Sequence, residues 1–220
     1  GDITIENAAL GITNVTASAG TGNIVATDAI GWITGGSFIA SGNVDLTTAA
    51  TILDTTVEGE IVTLAAAPGT LDQTAIGNVD VTARDNAVLN VTGDISNSSV
   101  LAENAATIDL DGDLNNNTVT AGSIEITGLV NVENGSYVAK VGALTVDATG
   151  NIEGATFTAE TANVGLTADG NIVSTTVTAA TDATLEAAQI GTSNVTAQAG
   201  LATLIADAIG GSTVVGGAGA

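Results

Sequence analysis

Apolar positions recur along this chain at two spacings, and together they divide it into units of about nineteen residues. The first is a pair five positions apart: Leu10/Val15, Ile33/Phe38, Ile52/Val57, Leu71/Ile76, Ile95/Val100, Leu114/Val119, Val132/Tyr137, Ile152/Phe157, Ile172/Val177, Ile190/Val195 and Ile209/Val214. Successive pairs begin 23, 19, 19, 24, 19, 18, 20, 20, 18 and 19 residues apart, which makes eleven units. The second is an i, i+2 doublet upstream of each pair. It occurs at Ile3/Ile5, Val44/Leu46, Val62/Leu64, Leu89/Val91, Ile108/Leu110, Ile124/Ile126, Leu144/Val146 and Val164/Leu166, and more weakly at Ala183/Leu185 and Ala202/Leu204. A small residue follows most pairs by two positions, as at Ala17, Ala40, Gly59, Ala102 and Ala159, and Asn78 breaks that column.

Short alternating runs rich in β-branched residues predict strands. Ala is common, but the segments are dense in Thr, Val, Gly and Asn, which form helices poorly, and no i, i+3, i+4 pattern is sustained. Gly with Asp or Asn precedes the middle apolar residue at Gly93-Asp94, Gly112-Asp113, Gly150-Asn151 and Gly170-Asn171. Gly enters positive φ freely and Asn or Asp tolerates it, so these dipeptides predict corners. A strand, a corner, a very short strand and a third strand make one coil of a β-solenoid, whose apolar face is buried only by stacking coils. The expected fold is all-β: a right-handed parallel β-helix of about eleven coils with an 18–20-residue period, the hand following the crossover rule. Residues 1–220 read as a single repeat domain, a segment or a subunit of a longer fibre. The two long steps, Leu10 to Ile33 and Leu71 to Ile95, predict loops bulging from single coils.

Composition narrows the chemistry. There are 24 acidic residues against 2 basic ones, no His and no Cys. Nucleic acid and anionic membranes are repelled, and no apolar run reaches the roughly 18 residues of a membrane helix. Cysteine pairing and His- or Cys-based catalysis cannot be built. An extracellular or cell-surface setting suits such a chain.

The stretch ALTVDATGNIEGATFTAETANVGLTADGNIVSTTVTA, with its near-duplicate GNIEGATFTA and GNIVSTTVTA, resembles the repeats of filamentous-haemagglutinin adhesins, which are exported by two-partner secretion. Both run strand, Gly-Asn corner, short strand, Thr/Val-rich strand, and the likeness covers nearly the whole chain. The resemblance implies a right-handed β-helical adhesin shaft at the cell surface, with a host-cell or glycan receptor as partner.

Several residues stand out as candidate sites. Asp94 and Asp113 fall in one column, and Asp109 and Glu125 are expected to stack outward in another. Stacked like charges repel, and Ca²⁺ would relieve them. The competing reading is a solvated surface with an Asn ladder along the corner, since Ca²⁺ needs more converging oxygens. No cofactor is required. Outward threonines at Thr118/Thr120, Thr156/Thr158 and Thr176/Thr178 open an ice-binding reading, against the plain β-propensity of Thr. A polysaccharide-active enzyme is the weakest alternative: Phe38, Tyr137 and Phe157 fall in the inward column, where no sugar can stack. Arg84, beside Asp85, is assigned to the loop of the long 71-to-95 unit, and Lys140 to a position one coil from Glu160. Trp32 points outward, either as a partner anchor or as a cover for the inserted loop. Sequons occur at Asn14, Asn90, Asn97, Asn116, Asn134 and Asn194.

The first coil starts at Ile3 and the last pair is Ile209/Val214, and no capping segment is legible. Uncapped strand edges invite association. The expectation is a non-enzymatic structural protein, either an adhesin shaft with continuing repeats or a filament, matrix or surface-layer subunit joining identical copies end to end.

Overall fold

The computed structural model describes residues 1–7, 11–28, 30–68 and 74–217, and it is a parallel β-solenoid. Among these residues there are 27 strands, no helix, and only parallel pairings. With no helix, none can cross a membrane. Each of the eleven coils contributes three strand stretches, and each stretch pairs with its counterpart one coil above and below. The first ladder starts at Ile3–Asn7, pairs with Ile24–Asp28, then Val44–Thr48, and continues to Ala202–Ile205. The second and third ladders fuse into single bent strands in some coils, such as Ile52–Gly59 and Leu114–Ala121. At about 4.8 Å per coil the stack is a rod of about 50 Å.

Alternation explains the core. In most coils three residues of the first stretch, one of the second and two of the third point inward. Ile172 lies on Ile152, Val177 on Phe157 and Ala179 on Ala159, all buried. Phe38, Tyr137 and Phe157 occupy the inward column as expected, and the Tyr137 and Phe157 rings stack with centroids 5.0 Å apart.

The register differs from the sequence expectation in four places. In the first coil Ile12 pairs with Ile33 and Ala17 with Phe38, so Ile12/Ala17 replaces Leu10/Val15, and Leu10 lies outside the described residues. In the fourth, Ile76 pairs with Ile52 and Val81 with Val57, so Ile76/Val81 replaces Leu71/Ile76; Leu71 is also outside the described residues. The small residue of that coil is Ala83, paired with Gly59 and Ala102, and Asn78 belongs to a different column. The extra residues of the long unit therefore fall before Ile76, between Ala66 and Thr74.

The doublets Leu89/Val91 and Ile108/Leu110 are slipped by two residues. Ala87/Leu89 and Ala106/Ile108 hold the column of Val62/Leu64 and Ile124/Ile126. These coils carry three alternating apolar residues, and a two-residue slip leaves every side chain on its own face.

The corners have a different cause from the one expected. Of the four Gly-Asx dipeptides, only Gly93 has positive φ. Gly150 and Gly170 are required because a Cβ there would run into the side-chain oxygen of Asn131 or Asn151 one coil below. Positive φ instead marks the bend between the second and third stretches, at Asn14, Gly35, Asp54, Asn78, Asn97, Asn116, Asn134, Gly154, Ser174, Thr192 and Gly211. Left-handed conformation at one bend per coil selects Asn and Gly.

Candidate functional site

The carboxylates divide between two fates. Asp94 and Asp113 do stack, at the foot of an oxygen ladder. Asp94 Oδ1 accepts the Asp113 amide at 2.9 Å, and Asp113 Oδ1 accepts both the amide and the side chain of Asn131, each at 2.9 Å. Asn131 Oδ1 then accepts from Asn151, and Asn151 from Asn171, both at 2.8 Å. Each Asx side chain thus satisfies a corner amide of the next coil, which a buried or half-buried backbone group needs.

Asp109 and Glu125 do not stack. Asp109 pairs with Thr127, and Glu125 with Thr107, two positions apart along the strand. The cause is the same two-residue slip. Among the described residues no three acidic side chains converge as a metal cluster. Besides Asp94 and Asp113, Glu133 sits over Glu153, exposed on the second ladder. It was legible in principle, since both follow the inward residues Val132 and Ile152 by one.

Arg84 lies not in the inserted stretch before Thr74 but in the short corner between Ala83 and Ala87. Directly after the third stretch of its coil, its guanidinium reaches down the stack. Nη1 meets Glu58 at 3.1 Å, Nε meets Glu60 at 3.5 Å, and Nη2 donates to the Ala40 carbonyl at 2.6 Å. One side chain therefore ties three consecutive coils. Lys140 and Glu160 follow the paired residues Ala139 and Ala159, and no ion pair joins them.

Inside the bend runs a polar column that sequence reasoning missed. Asn117 Oδ1 accepts the Ser98 amide at 2.9 Å and Nδ2 donates to the Ile95 carbonyl at 2.8 Å. Ser193 and Thr175 return their hydroxyls to Gly191 and Val173 at 3.0 and 2.9 Å. These residues precede the inward apolar residue of the third stretch by two, so strict alternation was the available signal. Their polarity concealed it.

Among the described residues three buried side-chain oxygens are unpaired: Tyr137 Oη, Asp28 Oδ2 and Asn115 Oδ1. Burial pushes the Tyr137 hydroxyl far above its ordinary range. Asp28 is 1% exposed, and its other oxygen accepts the Ile30 and Gly31 amides at 3.0 and 2.7 Å.

The threonine rows are in register where expected. Thr156 and Thr158 lie under Thr176 and Thr178, followed by Asn194 and Thr196. Ser136/Val138 and Ser99/Leu101 interrupt the rows. Four of the six sequons have a structural origin: Asn14, Asn97, Asn116 and Asn134 hold the left-handed bend, and Thr16, Ser99, Thr118 and Ser136 two residues on are outward strand positions. The fold asks for Asn at one position and a β-favouring hydroxyl residue at the other, and together these spell the motif. Trp32 is half-exposed at the corner that carries the loops, against Gly11 of the coil below. No protein-family model, curated protein or solved structure matches the chain.

Proposed function

We propose that this protein is a non-enzymatic structural rod of a cell surface or extracellular assembly, acting as an adhesin shaft or a filament subunit. The observation that carries the reading is the unbroken stacking of all three ladders through eleven coils, which puts the chain's apolar residues to work as a continuous aliphatic spine. Such a spine bends only by breaking hydrogen bonds and core contacts along its whole width. The resemblance to filamentous-haemagglutinin repeats supports the adhesin branch. Rungs that pair in parallel with their neighbours throughout would pair likewise with a further rung, from continuing repeats or from another copy.

Electron microscopy of the purified 220-residue chain tests the choice. Filaments many times longer than about 50 Å support end-to-end joining, and discrete short rods at high concentration overturn that branch. The registered threonines favour a second reading, ice binding. An absence of thermal hysteresis and of recrystallisation inhibition removes it.

A further inference from the structure

We infer that the bend at Asn134-Gly135 is a site of spontaneous covalent modification, where the chain closes to a succinimide and reopens to aspartate or isoaspartate. Asn side chains are chemically labile, and the nucleophile is the main-chain amide that follows. Here the Gly135 nitrogen attacks Asn134 Cγ. A bond forms between those two atoms, the Cγ–Nδ2 bond breaks, and ammonia leaves with the proton of the Gly135 amide. Water then opens the ring at either carbonyl. One product is aspartate, and the other is isoaspartate, whose main chain runs through Cγ.

Three observations single out this residue. Asn134-Gly135 is the sequence's one Asn-Gly step, so no Cβ on the attacking residue crowds its approach. Asn134 is exposed, and its carboxamide makes no hydrogen bond, whereas those of Asn117, Asn131 and Asn151 are held by their neighbours. The attacking amide also lacks a cover that its counterparts have. In several coils the residue after the bend donates its amide to a side chain of the same column one coil above. Val79 donates to Ser98 Oγ at 3.2 Å, Ser98 to Asn117 Oδ1 at 2.9 Å, and Ser193 to Ser212 Oγ at 3.3 Å. Ser136 lies on Thr156, so the residue above Gly135 is Ala155, which has no side-chain acceptor.

Asn97 and Asn116 hold the same bend and are exposed too, but neither combines these features. The amide after Asn97 belongs to Ser98 and is held by Asn117. The amide after Asn116 belongs to Asn117, a buried residue whose side chain is fixed at both ends.

The two products differ in fit. Asp54 holds the bend of its own coil at φ +50, so aspartate is accepted there. Isoaspartate inserts a methylene into the main chain between the Glu133–Glu153 and Ser136–Thr156 rungs, whose register leaves no slack. The rod therefore ages at one bend, where new charge appears beside Glu133 and Glu153.

The test incubates the whole chain in neutral buffer at physiological temperature. Peptide mapping by mass spectrometry follows every Asn over time, and released ammonia is measured in parallel. Conversion at Asn134 should run about tenfold faster than at Asn97 or Asn116, a barrier difference of about 1.4 kcal/mol. Ala155→Ser supplies the acceptor that Ser98 and Ser212 supply elsewhere, and should slow Asn134 several-fold while leaving Asn97 and Asn116 unchanged. Asn134→Asp should remove most of the early ammonia. In the isoaspartate fraction, hydrogen exchange should quicken across Val132–Ala139. Circular dichroism checks each variant, and the comparison of the three bends in wild type stands without any of them. Equal rates at the three bends overturn the proposal. So does an unchanged rate in folded Ala155→Ser, undiminished ammonia from Asn134→Asp, or conversion at Asn134 only after unfolding in urea.

Discussion

Tyr137 shows how a residue can fit by shape and misfit by chemistry. Its ring fills the inward column and stacks on Phe157, but the hydroxyl ends against Gly135 with no partner. An unpaired buried hydroxyl costs about 1–3 kcal/mol, so Tyr137→Phe should leave stability unchanged or raise it by about 1 kcal/mol in urea unfolding. The same pair should differ in alkali. The unfolded phenol titrates near pH 10, and burial holds the folded one well above that. The folded state keeps a proton that the unfolded state loses, so this stabilisation is intact below about pH 10 and declines as pH rises further. Comparing wild type and Tyr137→Phe between about pH 8 and pH 11 should show that decline in wild type alone. Gly135 has φ +115, and a Cβ there would meet the Asn117 carbonyl and the Tyr137 hydroxyl. Gly135→Ala should therefore lower stability by about 1–3 kcal/mol in the same assay.

At the scale of the element, corners and ladders contribute separately. The Asx ladder is a chain of side-chain acceptors, so removing one rung should cost about one hydrogen bond. Asn151→Ala should destabilise by about 1 kcal/mol in thermal melts, while Asn151→Asp, which keeps the acceptor for Asn171, should cost less. The Gly-Asx punctuation was readable from residues such as Gly150-Asn151 and Gly170-Asn171, but its reason was not. Single-sequence reasoning attaches Gly to φ, whereas these positions need Gly because one coil presses on the next. The ambiguity at Ile108/Leu110 has the same character. Alternation assigns a face to each residue and is blind to displacement by two, which is why Asp109 and Glu125 were expected to stack and do not. Asp94 and Asp113 were placed correctly because Gly93 and Gly112 pin that column.

For the whole molecule, charge decides behaviour. A net charge of −22 on a rod of about 50 Å makes copies repel one another side by side. As pH falls toward the sequence pI of about 4.1 the net charge vanishes, and light scattering should rise as rods associate side by side. Salt at neutral pH screens the same repulsion without removing it, and should produce less scattering than acid. The Arg84 tie to Ala40, Glu58 and Glu60 spans three coils beside the irregular corner.

The repeat, the inward and outward faces and the absence of metal-binding His or Cys chemistry were determined by the sequence itself. Each follows from which residue types recur at which spacing, and burial of apolar groups enforces it coil by coil. Tertiary structure alone decided the register at Ile12, Ile76, Leu89 and Ile108, the left-handed bend that runs from Asn14 to Gly211, and the reach of Arg84 across three coils. Those depend on which residue of one coil lies over which residue of the next. Contacts some nineteen residues apart settle that, because local pattern permits every two-residue slip equally and only the stacked coils distinguish among them.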